Sequence, residues 1–477
     1  MNYSRLLLFS TILLLCTSCQ KPQTNNYVLP ESKHTVTPGK QGQKEEQGGQ
    51  QQEPQKEKEK PVLTTDIYSI SCGPGEDASN GATISWAVDA SYNVDTYVLY
   101  TTVSDSEWDK ALKAEPEQNY SCNVFDGVRS DDPNGKEILE SAKFTKCGAT
   151  LSGLKSDTDY KYVIRTSDGK QSREGKFRTA GAKSWSCCII SDFHSYTPLP
   201  KRLTAAMGMI DRIKAYDSSL DWILSPGDVV AWGGSYSFWK RFFEEDNVAN
   251  YMWARANGNH DNWTKESQET GDYNIPNDYF KGTSYYPQNG YGEEMGVCYH
   301  FRYQNTLFVV LNTEDMASGN ELKAARDWAK EVITKAKTGP DAPTFTVVMM
   351  HYEWFYGTNG KTSEYGNWHT LFDQLGVDLA VAGNNHVYLR SHPILDGKVS
   401  TTAGRGTVYL QTPASDNDRG REIDPSDFRN SDLIAFRWTE GSHSVGAVHM
   451  AVEGKKMVLQ LFDRNGKVQD STVINAR

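Results

Sequence analysis

The sequence predicts an α/β (α+β) domain of layered mixed β-sheets flanked by helices, preceded by a small all-β sandwich. Three observations predict this. Residues 62–180 carry short alternating β-type runs separated by polar turns. Residues 184–477 alternate short, wholly apolar runs with amphipathic segments. At 477 residues the chain is too long for one ordinary domain, and no fixed-period repeat marks it as a solenoid.

The first elements read as targeting and spacing. Arg5 precedes the apolar stretch Leu6 to Leu15, too short to span a bilayer but suited to a signal-peptide core. The stretch ends in Cys16-Thr17-Ser18-Cys19. A small residue directly before a cysteine resembles a bacterial lipobox, with residues 1–18 as signal peptide and Cys19 as the lipidated residue. A plain secretory signal with two incidental cysteines is the alternative. Residues 19–61, including QGQKEEQGGQQQEPQKEKEKP, have almost nothing to bury and cannot offset their ordering entropy, so a disordered tether is expected. Together these features predict an exported protein held by lipid to a bacterial membrane, on its periplasmic or outer face. No apolar run of 18 residues follows the first twenty, so no spanning helix is expected in the mature chain. A net charge of −11 argues against a general nucleic-acid binder, which needs a basic face.

Eight cysteines are present. Loss of Cys16 and acylation of Cys19 leave Cys72, Cys122, Cys147, Cys187, Cys188 and Cys298. Export permits disulfides, and both Cys122–Cys147 and Cys72–Cys122 are open. Cys187 and Cys188 lie inside an apolar run, where packing is the default use.

Within 62–180, Ala82-Thr-Ile-Ser-Trp86, Thr96-Tyr-Val-Leu-Tyr100, Tyr160-Lys-Tyr-Val-Ile-Arg165 and Gly175-Lys-Phe-Arg-Thr179 are the expected strands, with Trp86 in the core. Leu154-Lys-Ser-Asp-Thr-Asp-Tyr160 resembles the tyrosine corner of a fibronectin type III domain. Beyond residue 184, buried strands are expected at Trp185–Ser191, Trp222–Leu224, Leu307–Leu311, Phe345–Met350 and Val377–Ala382. Leu203, Met207 and Ile210 mark one helix face, and Glu321 to Lys337 is a second amphipathic helix. Strands return at Thr407–Gln411 and Met457–Leu461, which makes the sheets mixed.

Chemistry-bearing residues follow these runs, where open α/β folds place their ligands. Asp192-Phe-His194 follows the first run and Gly227-Asp228 the second. Gly258-Asn259-His260-Asp261 comes next, then His351, then Gly383-Asn384-Asn385-His386. Each motif alone has a bland explanation as a turn or a core histidine. As an ordered set they supply mixed oxygen and nitrogen donors, which suit iron, zinc or manganese rather than calcium.

With these motifs, residues 184–470 resemble the calcineurin-like metallophosphoesterase superfamily. The preceding sandwich and Gly-x-x-His-Val-Tyr-x-Arg at 383–390 resemble its purple acid phosphatase branch in particular. The resemblance implies two metal ions and hydrolysis of phosphate mono- or diesters of a small substrate by a metal-activated water. By the same resemblance, Asp228 bridges the metals. Asp192, His194 and His386 complete one site, and Asn259, His351 and Asn384 the other. His260, helped by Asp261, faces the phosphate. Two departures carry consequences. Position 231 is Ala where the purple branch has a tyrosine, so His194 is expected in that slot and no purple colour follows. Asn384 stands where the family has histidine and predicts a second metal that is weak, exchangeable or absent. That departure keeps a second function class open: a catalytically weak protein of the same fold that binds a phosphorylated or glycan ligand.

An aromatic insert at 262–300, with Trp263, Tyr273, Tyr279, Phe280, Tyr285, Tyr286, Tyr291 and Tyr299, reads equally as a wall beside the site or as packing onto the sandwich. Arg390 suits either a phosphate or a carboxylate partner.

Overall fold

Two large mixed sheets stack at the centre of the protein. The computed structural model describes residues 62–92, 94–123, 143–182, 184–263, 278–314, 319–356, 360–415, 432–441 and 444–477. Cys19, the targeting segment, the tether and Tyr273 lie outside the described residues. Residues 60–477 form one unit. In the first sheet Ser184–Ile189, Trp222–Ser225 and Met252–Arg255 are parallel neighbours, with Gly446–Glu453, Lys456–Asp463 and Val468–Asn475 added antiparallel at one side. The second sheet has the parallel series Thr306–Val310, Phe345–Met349, Leu379–Ala382 and Val408–Gln411. Tyr299–Tyr303, Tyr388–Ser391 and Ile434–Trp438 extend it antiparallel. The expected α/β layering is therefore present, with strands where the apolar runs lie.

Alternation along each strand explains why the runs are apolar throughout. Trp185 and Trp222 of the first sheet pack against Phe308 of the second, the Trp222 and Phe308 ring centroids lying 5.0 Å apart. The next residues along these strands face outward. Cys188, Ile223 and Trp253 meet helices Lys201–Tyr216 and Tyr236–Phe243. Leu307, Val309 and Val348 meet helices Gly319–Thr338 and Ser363–Leu375. The last of these helices is bounded by chemistry visible in the sequence: Thr362 accepts a cap bond from the Tyr365 N–H at 3.2 Å, and Gly376 ends it at φ +66°.

The N-terminal strands are continuous with this architecture. Ile67–Pro74 pairs in parallel with Met252–Arg255, so Ile67–Pro74, Ala82–Asp89, Lys143–Leu151 and Gln118–Asn123 prolong the first sheet to ten strands. The free parallel edge of the Met252 strand is thereby covered, which removes an exposed edge. A separate six-stranded sheet contains Thr96–Thr102, Asp159–Thr166 and Gly175–Arg178. Trp86, fully buried, donates from Nε1 to Thr96 Oγ1 at 3.0 Å and joins the two sheets. The Tyr160 hydroxyl accepts from the Lys155 N–H at 2.9 Å.

Neither expected disulfide is present: Cys72 and Cys147 are free, buried thiols. Register explains it. Cys122 lies opposite Phe144, three residues from Cys147. At roughly 3.3 Å per residue that offset exceeds the span of about 7 Å a disulfide can bridge. Cys72 is two strands further away, opposite Ile84.

Within the described part of the aromatic insert, Tyr285 and Tyr286 pack on the N-terminal sheet. Tyr285 donates its hydroxyl to Glu117 at 2.8 Å, and its ring covers Gly148, where any Cβ would lie only 2.3–2.7 Å from ring carbons. Lys146 Nζ donates to the Ser284 carbonyl. Tyr286 stacks on Tyr299 at 4.4 Å, and Arg255 Nη2 donates to the Thr283 carbonyl at 2.8 Å. Among the described residues no helix is long and apolar enough to cross a membrane. Gly148→Ala should lower stability by about 1–3 kcal/mol through overpacking against Tyr285, read as a lower denaturation midpoint. An unchanged midpoint would show that Tyr285 does not occupy this place.

Candidate metal centre

The two parallel strand series end at the same place. Asp192 and His194 follow Ser184–Ile189, Asp228 follows Trp222–Ser225, and Asn259 and His260 follow Met252–Arg255. From the second sheet, His351 follows Phe345–Met349, and Asn384 and His386 follow Leu379–Ala382. The carboxyl ends of both sheets thus converge on one buried cluster. Asp192, His194, Asp228 and His386 place donor atoms within 4.8 Å of one another.

Asp228 stands between two groups of donors. Its Oδ2 lies 3.1 Å from His194 Nε2, and its Oδ1 lies 3.3 Å from His351 Nε2. His386 Nε2 lies 3.4 Å from Asp192 Oδ1 on the His194 side. On the other side, His351 Nε2 is 2.9 Å from Asn259 Oδ1. One carboxylate therefore presents an oxygen to each group, the arrangement a bridging ligand needs.

Backbone carbonyls orient the imidazoles. His194 Nδ1 contacts the Asp192 carbonyl at 2.8 Å, His351 Nδ1 the Pro226 carbonyl at 2.8 Å, and His260 Nδ1 the Ala231 carbonyl at 2.9 Å. A carbonyl only accepts, so each Nδ1 carries the proton. In the neutral ring that leaves Nε2 with its lone pair, directed in His194 and His351 at Asp228. This is the tautomer a metal-binding histidine requires, held by its supporting partners.

The local backbone is strained and tightly packed. Asp192, His194, Asp228, Asn384 and His386 have φ between +42° and +63°. They are five of the ten described non-glycine residues at positive φ, a concentration that marks a functional site rather than scattered turns. The motif glycines permit close approach. A Cβ on Gly258 would collide with Asp228, and one on Gly383 would sit 2.6 Å from Asp192 Oδ2.

Electrostatics show a pocket that requires positive charge. Asp192 and Asp228 are fully buried. Burial opposes ionisation of Asp228, but the charges of His351 and His260 and bonds from His194 and His351 outweigh it, so the carboxyl is held well below its usual range. Burial likewise opposes ionisation of Asp192, and the bond and charge of His386 overcome it. Burial pushes His351 down, yet attraction to Asp228 dominates and lifts it to about 10. Burial and repulsion from Asp228 push Asp261 up to about 6, against the pull of Arg255. A buried carboxylate that holds a proton this firmly on the His351 imidazole marks a site where a cation competes for the same donors. Carboxylate, amide and imidazole donors fit iron, zinc or manganese.

Asp261 is placed differently from expectation. Its carboxylate accepts from the N–H groups of Asp228, Val229, Val230 and Gly258 at 2.9–3.2 Å. It holds the loop that carries Asp228, while His260 Nδ1 is oriented by Ala231. Arg390 pairs with Asp470 at 2.7 Å, so its partner is a carboxylate. In the aromatic insert, Trp263 lies against His260, with ring centroids 4.2 Å apart. Asn384 donates its N–H to Asp192 Oδ1 at 3.0 Å, and its amide Nδ2 donates to Glu353 Oε2. Glu353 escaped the sequence reading, although its position two residues after His351 was a usable signal. Ser191 escaped it too: its hydroxyl lies against both Asp192 Oδ2 and Thr412 Oγ1.

Known proteins carry the same architecture. Residues 187–388 match the family model of the calcineurin-like phosphoesterases. The chain superposes on a purple acid phosphatase from yellow lupin (Lupinus luteus) seeds with a TM-score of 0.66 and 16% identity, covering 86% of this chain and 74% of that one. It superposes on PhoD with a TM-score of 0.55 and 11% identity, covering 87% and 90%. Both likenesses establish the fold. The uncharacterized protein Rv2577 of Mycobacterium tuberculosis is 24% identical over 300 residues, 57% of this chain. The match spans 55% of that protein, about half its length. The stretch 187–388 that fits this family model thus contains the buried Asp/His cluster of Asp192, His194, Asp228 and His386.

Asp228→Asn should leave the fold intact and lower bound metal to less than one ion per chain, measured by elemental analysis after metal loading and desalting. Two retained ions would contradict the central position of Asp228.

Proposed function

We propose that this protein is a metal-dependent hydrolase of small phosphate esters. The observation that carries this reading is the convergence of five donor residues from both sheets, Asp192, His194, His386, Asn259 and His351, around Asp228, with His260 beside them. Cations held there would neutralise the phosphate's charge and lower the pKa of a water bound to them. Asp228 spans the two donor groups. Asp192, His194 and His386 hold one side, and Asn259 and His351 the other. The loop amides that Asp261 accepts from keep Asp228 in place.

His260 has a separate task. Its backbone N–H donates to Asp228 Oδ1 at 2.9 Å, so its placement is tied to that of the bridge. With Nδ1 committed to Ala231, the ring uses Nε2 to meet the ester, donating a proton to the leaving oxygen or stabilising its charge. Trp263, against the His260 ring, forms a wall for the organic part of the ester.

The targeting features complete the proposal: cleavage before Cys19, lipidation at Cys19, and a tether over 19–61 that holds the enzyme beside a bacterial membrane. Cys19→Ala should move the protein from the membrane pellet to the soluble fraction. Retention in the pellet would reject the lipid anchor.

The activity is tested with chromogenic phosphate monoesters and diesters, before and after chelation and with manganese, zinc or iron restored. Turnover that disappears with chelator and returns with metal is expected, and its absence with every metal would overturn the assignment. His260→Ala should retain its metal and lose about 10²–10⁴-fold in kcat, the range of a general acid. Loss of metal from this variant would make His260 a ligand instead.

A further inference from the structure

Asn384 occupies a position where histidine is expected, and an amide oxygen is a weaker donor than imidazole. The structure supplies a compensating neighbour. Glu353 is only 9% exposed, and its Oε2 accepts from Asn384 Nδ2. Both residues sit at adjacent carboxyl strand ends, Glu353 beyond Phe345–Met349 and Asn384 beyond Leu379–Ala382, which are parallel neighbours. The Glu353 backbone is itself fastened, its carbonyl accepting from the Thr362 hydroxyl at 2.7 Å at the start of helix Ser363–Leu375. The Asn384 backbone is fixed from the opposite side by Asp192. Its φ of +63° is a conformation that asparagine tolerates better than most residues.

An amide has two unlike ends. A carboxylate accepts only, so it selects the nitrogen end and turns the carbonyl oxygen away from itself. A charge-assisted bond to the N–H₂ group also polarises the amide and makes its oxygen a stronger donor. The same logic operates when a carboxylate supports a metal-binding histidine.

We propose that Glu353 is a positioning residue that fixes the orientation of Asn384, so that Oδ1 serves as the oxygen ligand of the second cation, beside Asn259 and His351. This rests on the metal-centre reading above and deepens it. It assigns to a Glu–Asn pair the place that a single histidine would fill.

The test is calorimetric titration of the chelator-stripped full chain with Mn²⁺ and, separately, Zn²⁺, with thermal midpoints to establish that each variant is folded. The wild type should take up two ions with distinguishable affinities. Glu353→Gln, which keeps the shape but loses the charge, should weaken the weaker ion about 10-fold, and Glu353→Ala up to about 100-fold, the range for residues that support ligands. The tighter ion should be unaffected. Because Glu353 acts through Asn384, the double variant N384A/E353Q should bind no more weakly than N384A alone. Unchanged affinity in both Glu353 variants overturns the proposal. So does a further 10-fold loss in the double variant, which would make Glu353 an independent ligand. A wild-type chain that binds one ion and hydrolyses esters overturns it while leaving the phosphoesterase assignment standing. Two ions with the expected variant pattern but no turnover supports the pair and rejects the assignment of activity.

Discussion

A carboxylate with no contact with solvent lies where two sheets end, and the surrounding structure is arranged to make that tolerable. An isolated buried charge would be strongly unfavourable. Asp228 is surrounded by His194, His351 and the His260 N–H, and its own N–H is taken by Asp261. The strained φ angles of its neighbours, the bare glycines at 258 and 383, and the carbonyls that orient the imidazoles all serve the same few ångströms. The sheet core supplies rigidity for this. Trp185, Trp222 and Phe308 lock one sheet onto the other, and any sliding between sheets would separate His351 from Asp228.

Much of this was legible in the sequence because parallel strands buried on both faces are wholly apolar. Where such a run stops, the next polar residues stand out: Asp192, Asp228, His351 and His386 were all located that way. What was hidden depends on backbone atoms or long-range pairing. The carbonyls of Pro226 and Ala231 that set histidine tautomers have no side-chain signature. The family resemblance made Asp261 a helper of His260, whereas its carboxylate reaches backwards to the Asp228 loop. The parallel pairing of the Met252 strand with the Ile67 strand joins segments about 180 residues apart and merges into one sheet what composition separates into two regions. No local pattern announces it.

Departures from the family pattern are informative in the same terms. Ala231 removes a tyrosine side chain but keeps a carbonyl that orients His260. Asn384 removes an imidazole but gains Glu353. The aromatic insert follows a different logic: Tyr285 and Tyr286 pack on the N-terminal sheet, and Trp263 lies against His260.

The central claim is that Asp228 lies between two cations. Anomalous diffraction from crystals soaked in manganese tests it most directly. The account predicts two peaks flanking the Asp228 carboxylate, one among Asp192, His194 and His386, the other beside Asn259 and His351. A single peak, or peaks away from Asp228, would contradict it.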